Sequence, residues 1–335
     1  VDVANGSGAH MKLAQLRYLT AIVDAGFNIS AAADKLHLSQ PGVSRQLRLL
    51  EEELGFELFV REGRNLLRLT AAGQRVVERA QKALRETQAI KAMSLDVRDA
   101  ARGSLSIATT HTQARYVLPA VISQFRLKYP QVRLHLHQGT AEQIADMLNA
   151  GQVDIAIGTG SRDHFPHCVL LPCYEWHRRV IVPLDHPLAK TKTLTLSKLG
   201  QYPLVTYVFN LSGPASLPQA FESAGIEPDI ALTARDADVI KTYVRLGLGV
   251  GIVAAMAIDP KEDRDLVSFD ASHLFPRHLT WVGFRRGGYL RRYTLDFMRL
   301  LAPHLDHARV HKAERTTRQE EVDTLFADVR LPLHV

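Results

Sequence analysis

The hydrophobic pattern of this 335-residue chain changes its period twice, and that constrains the fold more than any single residue does. Over residues 11–69 it is helical and then briefly two-stranded. Over 70–98 it is one long helix, and from Gly103 onward apolar strand runs alternate with amphipathic helices. Strands alternating with helices predict an α/β fold, so the order implies a small reader unit, a rod and a larger α/β domain. The length predicts two or three folding units. The expected divisions are 11–69, then 70–102 as a helix and hinge, then 103–310, with 311–335 as a tail. Residues 1–10 are small, polar and glycine-rich, with no apolar stretch for export, and are read as the remnant of an expression tag.

Composition narrows the partners. Apolar residues make up 46% and charged residues 23%, an ordinary soluble balance, and no run approaches the roughly 20 apolar residues of a spanning helix. No membrane association is expected. Cys168 and Cys173 are too few for a disulfide framework and are not spaced as a zinc knuckle or redox pair, so both are expected to be reduced in the cytoplasm. The formal charge of +6 favours polyanionic partners.

In the first segment, residues 29–36 form a short alanine-rich helix, and His37-Leu38-Ser39 turns into a second helix capped by Ser39 with Pro41 in its first turn. Val43, Leu47, Leu50 and Leu54 make one apolar stripe, which leaves Ser44, Arg45 and Arg48 free to meet DNA. Residues 57–60 and 66–69 then predict two short strands around Glu62-Gly63-Arg64-Asn65, with Arg61, Arg64 and Arg68 on or beside the turn. A helix in the major groove with a basic ribbon on the backbone separates base reading from positioning. The candidate DNA contacts are Ser39, Gln40, Pro41, Ser44, Arg45, Arg48, Arg61 and Arg64, while Glu51, Glu52 and Glu53 should face away from phosphate. A plain helical hairpin with solvated charges is the competing reading.

The run from Ala31 to Gly73 resembles the LysR family of transcription regulators. The matching stretches are Ala31-Ala32-Ala33, Ser39-Gln40-Pro41-Gly42-Val43-Ser44-Arg45-Gln46-Leu47, Leu50-Glu51-Glu52-Glu53-Leu54-Gly55, Leu58-Phe59-Val60-Arg61 and Leu69-Thr70-Ala71-Ala72-Gly73. The resemblance implies a winged helix-turn-helix that binds double-stranded promoter DNA as a homodimer or homotetramer. It also implies that transcription by RNA polymerase changes when a small effector occupies the C-terminal domain. Independently, Val76, Ala80, Ala83, Thr87, Ile90, Ser94 and Val97 alternate by four and three residues, a seam on which two long helices could pair. A lone amphipathic helix lying on its own sensor domain is the alternative.

Beyond Gly103, strands are expected at 105–108, 132–137 and 153–158 and helices at 114–127 and 141–149. A second set follows, with strands at 180–183, 204–207 and 230–233, helices at 215–224 and 237–246, a returning strand at 277–285 and a closing helix at 290–305. These predict a two-lobed domain of the type 2 periplasmic-binding-protein kind, with lobe I at about 103–170 and 277–310 and lobe II at about 171–276. Open α/β sheets bind ligands outside their strand carboxyl ends, here between the lobes. The loop Thr109-Thr110-His111-Thr112-Gln113 offers hydroxyls and an amide at a helix start, where unpaired N–H groups favour an anion, and Asn210-Leu211-Ser212-Gly213-Pro214 offers the same chemistry. Plain N-capping is the simpler reading of each loop.

From Met11 to the tail the resemblance narrows to the branch of CysB and Cbl regulators. It is carried by Ala108-Thr109-Thr110-His111-Thr112-Gln113-Ala114-Arg115-Tyr116, Leu171-Pro172-Cys173-Tyr174, Gln201-Tyr202-Pro203-Leu204-Val205-Thr206-Tyr207 and the run from Asp236 to Gly251. It implies activation of genes for sulfate uptake and cysteine synthesis or, in a Cbl-like case, sulfonate and organosulfur use. The effector would be sulfate, thiosulfate, an acetylserine or adenosine phosphosulfate. Thr110, Thr112, Gln113 and Thr159 match its effector site, and Ser212 stands where the branch commonly has threonine. The neighbours of Ser212 depart from the branch's usual Gly-Phe-Thr-Gly-Arg-Ser, and Gly160-Ser161-Arg162 replaces a stretch containing Glu.

An enzyme acting on a small anionic substrate is the reading from another class, but no nucleophile elbow, P-loop or dinucleotide fingerprint stands in a fitting context, and no cofactor is expected. His135 and His137 share a strand face and His164 and His167 lie near Cys168, without a complete metal-ligand set. A solute-binding protein would share the two lobes but not the DNA reader. In the tail, Val322, Leu325, Phe326 and Val329 recur at helical spacing, to dock on the sensor, on a partner chain or on nothing.

Overall fold

The computed structural model describes residues 11–63, 65–160, 162–211 and 216–334, and the chain divides into two compact units within the long helix, between Leu95 and Asp96. The first unit holds α1 (Leu13–Asp24), α2 (Ile29–Lys35), α3 (Gln40–Leu54), β1 (Phe59–Glu62), β2 (Asn65–Leu69) and most of α4 (Ala71–Asp99). Leu19, Ile22, Ala32, Val43, Leu47, Leu50, Leu58 and Phe59 form its core. The Asn28 side chain caps α2 through the Ala31 N–H at 3.0 Å. Ser39 sits at the N-cap of α3 as expected, with extended backbone, but its hydroxyl makes no cap bond.

The first wing strand begins two residues later than the pattern suggests, at Phe59. The Leu58 N–H is taken by the Glu51 carboxylate at 2.8 Å, so Leu58 is pinned to α3 and not to the ladder. Thr70 opens α4, its hydroxyl accepting the Gly73 N–H at 2.9 Å. Gly73 itself is required by contact: a Cβ there would lie 2.0 Å from the Leu58 carbonyl oxygen. The proposed helix seam divides in two. Ala80 is 2% exposed within the first unit's own core, with Val76 and Ala83 packed on it, whereas Ile90 and Val97 are 65% and 88% exposed.

The second unit carries two sheets. The six-stranded sheet runs β13-β6-β12-β5-β3-β4, from β3 (Gly103–Thr109), β4 (Val132–Gln138), β5 (Ile155–Thr159), β6 (Cys168–Trp176), β12 (His278–Arg285) and β13 (Leu333–His334). The five-stranded sheet runs β11-β7-β10-β8-β9, from β7 (Arg178–Pro183), β8 (Leu204–Tyr207), β9 (Ile230–Ala234), β10 (Val250–Ala254) and β11 (Leu266–Asp270). Their helices are α5 (Leu118–Lys128), α6 (Ala141–Asn149), α7 (Leu196–Leu199), α8 (Leu217–Glu222), α9 (Ala237–Arg245), α10 (Arg292–Leu301), α11 (His307–Glu314) and α12 (Gln319–Leu325).

Several boundaries differ from expectation for identifiable reasons. The chain leaves the first sheet at His177, not at Leu171. Pro172 lacks an N–H, and β6 absorbs it at a bulge where Tyr174 pairs with Thr280 but Pro172 with Trp281. The helix expected from Ala114 opens with a wide π-turn, Gln113–Val117, before α5, because Pro119 cannot donate to the carbonyl four residues back. The helix expected at 215–224 is α8, which starts at Leu217 under a Ser216 cap. The closing helix ends at Leu301 because Ala302, extended before Pro303, cannot continue it. The tail docks on its own sensor: Val322 and Phe326 are buried in the core shared by the two sheets, and Leu325 and Val329 pack against it.

Candidate DNA-reading surface and effector site

The apolar stripe of α3 is buried through Val43, Leu47 and Leu50. Helical geometry therefore turns Arg45 and Arg48 to the exposed side, with Ser44 half-buried between. Ser39, Gln40 and Pro41 are exposed at the helix start. Among the described residues neither Arg45 nor Arg48 has an ion-pair or hydrogen-bond partner, so both guanidiniums are available. Arg61 is also exposed, but its Nη2 lies 2.5 Å from Glu51 Oε2, which commits part of it to holding the wing. Glu52 and Glu53 are exposed and Glu51 is buried, an internal tie. Arg68 is exposed on β2, and Arg64 lies outside the described residues.

In the sensor, Thr110, Thr112 and Gln113 follow the carboxyl end of β3, and Thr159 ends the neighbouring β5. Ala114 N–H bonds to the Thr110 carbonyl at 3.1 Å, the first helical bond, which leaves the N–H groups of the preceding turn at the helix's open end. Thr112 and Gln113 are buried, and Thr110 is half-buried. Gln113 accepts a short hydrogen bond from the Tyr174 hydroxyl and donates to Thr280 Oγ1 at 3.4 Å. Thr280 lies 3.0 Å from Thr159 Oγ1, which also accepts from Trp176 Nε1 at 3.4 Å. The Thr112 side chain lies beside the Tyr207 hydroxyl of the second sheet, which accepts the Ala254 N–H at 3.2 Å. The structure thus joins Gln113 and Thr159 through Thr280 and sets Thr112 against the other lobe. Ser212 lies outside the described residues.

The electrostatics of this site come from burial. Burial raises the Tyr174 hydroxyl well above its ordinary range and pushes Tyr207 up to about 12, so both remain protonated. Burial, with the neighbouring charge of Arg178, pushes His278 down to about 3, and its neutral ring stacks on Trp176 at 4.5 Å. Arg178, 1% exposed at the start of β7, is lowered to about 10 by burial and remains a cation at neutral pH. Arg178, Tyr174, Trp176, Tyr207 and Thr280 were missed as site residues. Tyr174 and Tyr207 stood in the matched runs, but Thr280 meets Thr159 only through the β12–β5 register, which no local pattern carries.

One group of potential metal ligands occurs among the described residues, His111 with Asp236 and Asp238. Its carboxylates are engaged: Asp236 accepts the Val239 N–H at 2.8 Å, and Asp238 accepts from Tyr116 at 2.7 Å and faces Arg115 at 3.6 Å. No described helix is long and apolar enough to cross a membrane.

Residues 13–74 match the bacterial regulatory helix-turn-helix protein model of the lysR family, and residues 98–306 match the LysR substrate binding domain. The chain belongs to the LysR family of DNA-binding transcriptional regulators. It is 50% identical over 321 residues to the HTH-type transcriptional regulator CysB of Haemophilus influenzae, covering 96% of this chain and 99% of that one. It is 39% identical over 313 residues to the HTH-type transcriptional regulator cbl of Escherichia coli K12, covering 93% and 99%. Among solved structures, the cofactor-binding domain of the Cbl transcriptional regulator superposes with a TM-score of 0.61 at 41% identity, covering 64% of this chain and 95% of that one. Full-length CbnR in complex with its target DNA gives 0.52 at 26% identity, covering 88% and 100%. These relatives are transcriptional regulators, not enzymes.

Proposed function

We propose that this LysR-type regulator of sulfur assimilation and cysteine biosynthesis genes is switched by a small anionic sulfur-pathway effector of the sulfate, thiosulfate, acetylserine or adenosine phosphosulfate class. The effector sits at Thr110, Thr112, Gln113 and Thr159, with Ser212 as a further hydroxyl donor. The observation that carries this reading is the convergence of buried neutral donors on one helix start, joined by Thr280 between Gln113 and Thr159. Arg178 adds a buried positive charge nearby. On the other unit, Ser39, Gln40, Pro41, Ser44, Arg45 and Arg48 meet promoter DNA, and Arg61 and Arg64 steady the wing on its backbone. A homodimer or homotetramer joined along the far half of α4 presents paired readers to the promoter for RNA polymerase.

The test is calorimetry of the full chain with sulfate and thiosulfate, comparing wild type with Thr112→Val. Loss of one donor to a charged ligand is expected to cost about 1.5–3 kcal/mol, at least roughly tenfold in affinity. Undiminished binding of a wild-type ligand by the variant would remove this site.

A further inference from the structure

We propose that the C-terminal strand Leu333–His334 is a positioning element of the effector site, holding Tyr174 and Trp176 where they orient Gln113 and Thr159. This rests on the effector reading above and adds a part of the chain far from it in sequence.

β6 is the strand on which the inference turns. On one side it pairs with β12, and on the other its edge is covered by the tail. Gln319 supplies the first cover: its Oε1 accepts the Leu170 N–H at 3.0 Å and its Nε2 donates to the Leu170 carbonyl at 2.8 Å. Further along, the Glu175 N–H bonds to the Pro332 carbonyl at 2.9 Å, and Leu333 and His334 pair in parallel with Glu175 and Trp176. Between these points, α12 is held by buried Val322 and by Arg162 Nη1, which reaches both Asp323 oxygens at 2.8 and 2.9 Å. One segment therefore secures both ends of β6 and holds Arg162, three residues after Thr159.

The functional side of that strand is specific. Tyr174 and Trp176 are two residues apart, so they share a face of the sheet. Tyr174 donates to Gln113 and Trp176 to Thr159, the only effector residues joined through Thr280 among the described ones. The His334 ring lies 4.9 Å from the Tyr174 ring, directly beside the first of these donors. An unpaired strand end is free to fray and twist, and ordering donors at the moment of binding costs affinity. With the tail strand in place, that ordering precedes the ligand.

The experiment uses the full chain, a version ending after Leu331, His334→Ala, and Thr112→Val as the reference for the site. Sulfate and thiosulfate binding is measured by calorimetry, folding by thermal melting, and the Glu175 amide by hydrogen exchange. The shortened chain is expected to bind about tenfold more weakly with faster Glu175 exchange, and His334→Ala, which keeps the backbone pairing, to lose about threefold. If both variants bind as tightly as wild type while Thr112→Val is weakened, the tail strand is only a structural cover and the inference is overturned. If Thr112→Val binds normally, the effector reading itself fails. Should the shortened chain not fold, an unchanged affinity in His334→Ala overturns the proposal, and a loss without a change in melting supports it.

Discussion

The two units use polar side chains in opposite ways. On α3, Arg45 and Arg48 stand exposed and unengaged, their positions fixed only by the apolar stripe behind them. In the sensor, Gln113 and Thr159 are already hydrogen-bonded to Tyr174, Trp176 and Thr280, and Thr112 is buried beside Tyr207. A reading surface that keeps its donors free meets its partner without internal rearrangement. A site whose donors satisfy one another must exchange those bonds when a ligand arrives, and burial makes each unreplaced bond costly. The first arrangement suits a rigid reader and the second a switch, because a bond exchanged inside the protein moves the elements that carried it.

The largest effect expected from this contrast is on DNA. Replacing Arg45 or Arg48 with Ala should cost about 1–3 kcal/mol of discrimination for a base-reading contact, while melting of the chain stays within about 0.5 kcal/mol because neither side chain holds the fold together. Operator and random-sequence affinities of both variants decide it. Wild-type preference in both would move base reading off this face of α3 and break the contrast.

The same contrast explains what was legible beforehand. The stripe Val43, Leu47 and Leu50 announced both the core face of α3 and its outward face, since one helical period determines the two together. The loop from Thr110 to Gln113 was equally plain, as hydroxyls before a helix. Thr280 was not, because it meets Thr159 across 121 residues of sequence, through strand pairing alone. No strand is expected between residues 158 and 180, so β6, which carries Pro172 over a bulge, was not legible and the lobe crossing expected near Leu171 lies at His177. Arg178 lay hidden for the same reason, since its burial depends on where the second sheet begins. The α4 seam was visible as spacing, but spacing could not show that Ala80 is already used by the reader's own core.

A second effect separates the units by acid. Folding lowers His278 from 6.5 to about 3, chiefly by burial and then by the charge of Arg178. Between those values the unfolded chain binds more protons than the folded one, so the stability contributed is fully present above about pH 6.5 and is lost as pH falls toward 3. From pH 7 to 5 the loss from this group is about 2 kcal/mol. His177 and His334 are lowered by burial as well and add slope of the same sign. The described part of the first unit holds only His37, which is exposed. Melting followed separately in each unit, as by hydrogen exchange, should show the sensor loosening first on acidification. His278→Phe, which keeps a ring against Trp176, should flatten the sensor's pH slope by its own share. An unchanged slope in that variant would mean His278 is not the buried neutral group the structure describes.

The smallest effect sharpens the comparison from inside the reader, which contains a polar tie of the sensor's kind. Glu51 is buried at 8% exposure, accepts the Leu58 N–H at 2.8 Å and holds Arg61 at 2.5 Å. Its charge is spent on joining α3 to the wing. Glu51→Gln keeps an acceptor for the Leu58 N–H and gives up the charge toward Arg61, a partly exposed partner, so the expected cost is about 1 kcal/mol or less. Glu51→Ala leaves the Leu58 N–H without its acceptor and should cost about 1–3 kcal/mol. Both changes leave Arg45 and Arg48 untouched, so DNA affinity should fall uniformly across sequences while base preference is retained. Binding of operator and random DNA by the two variants, at matched salt, measures this. A shift in base preference would mean that the tie sets the pose of α3 in the groove as well as that of the wing, and that the reader, too, carries its specificity through an internal bond.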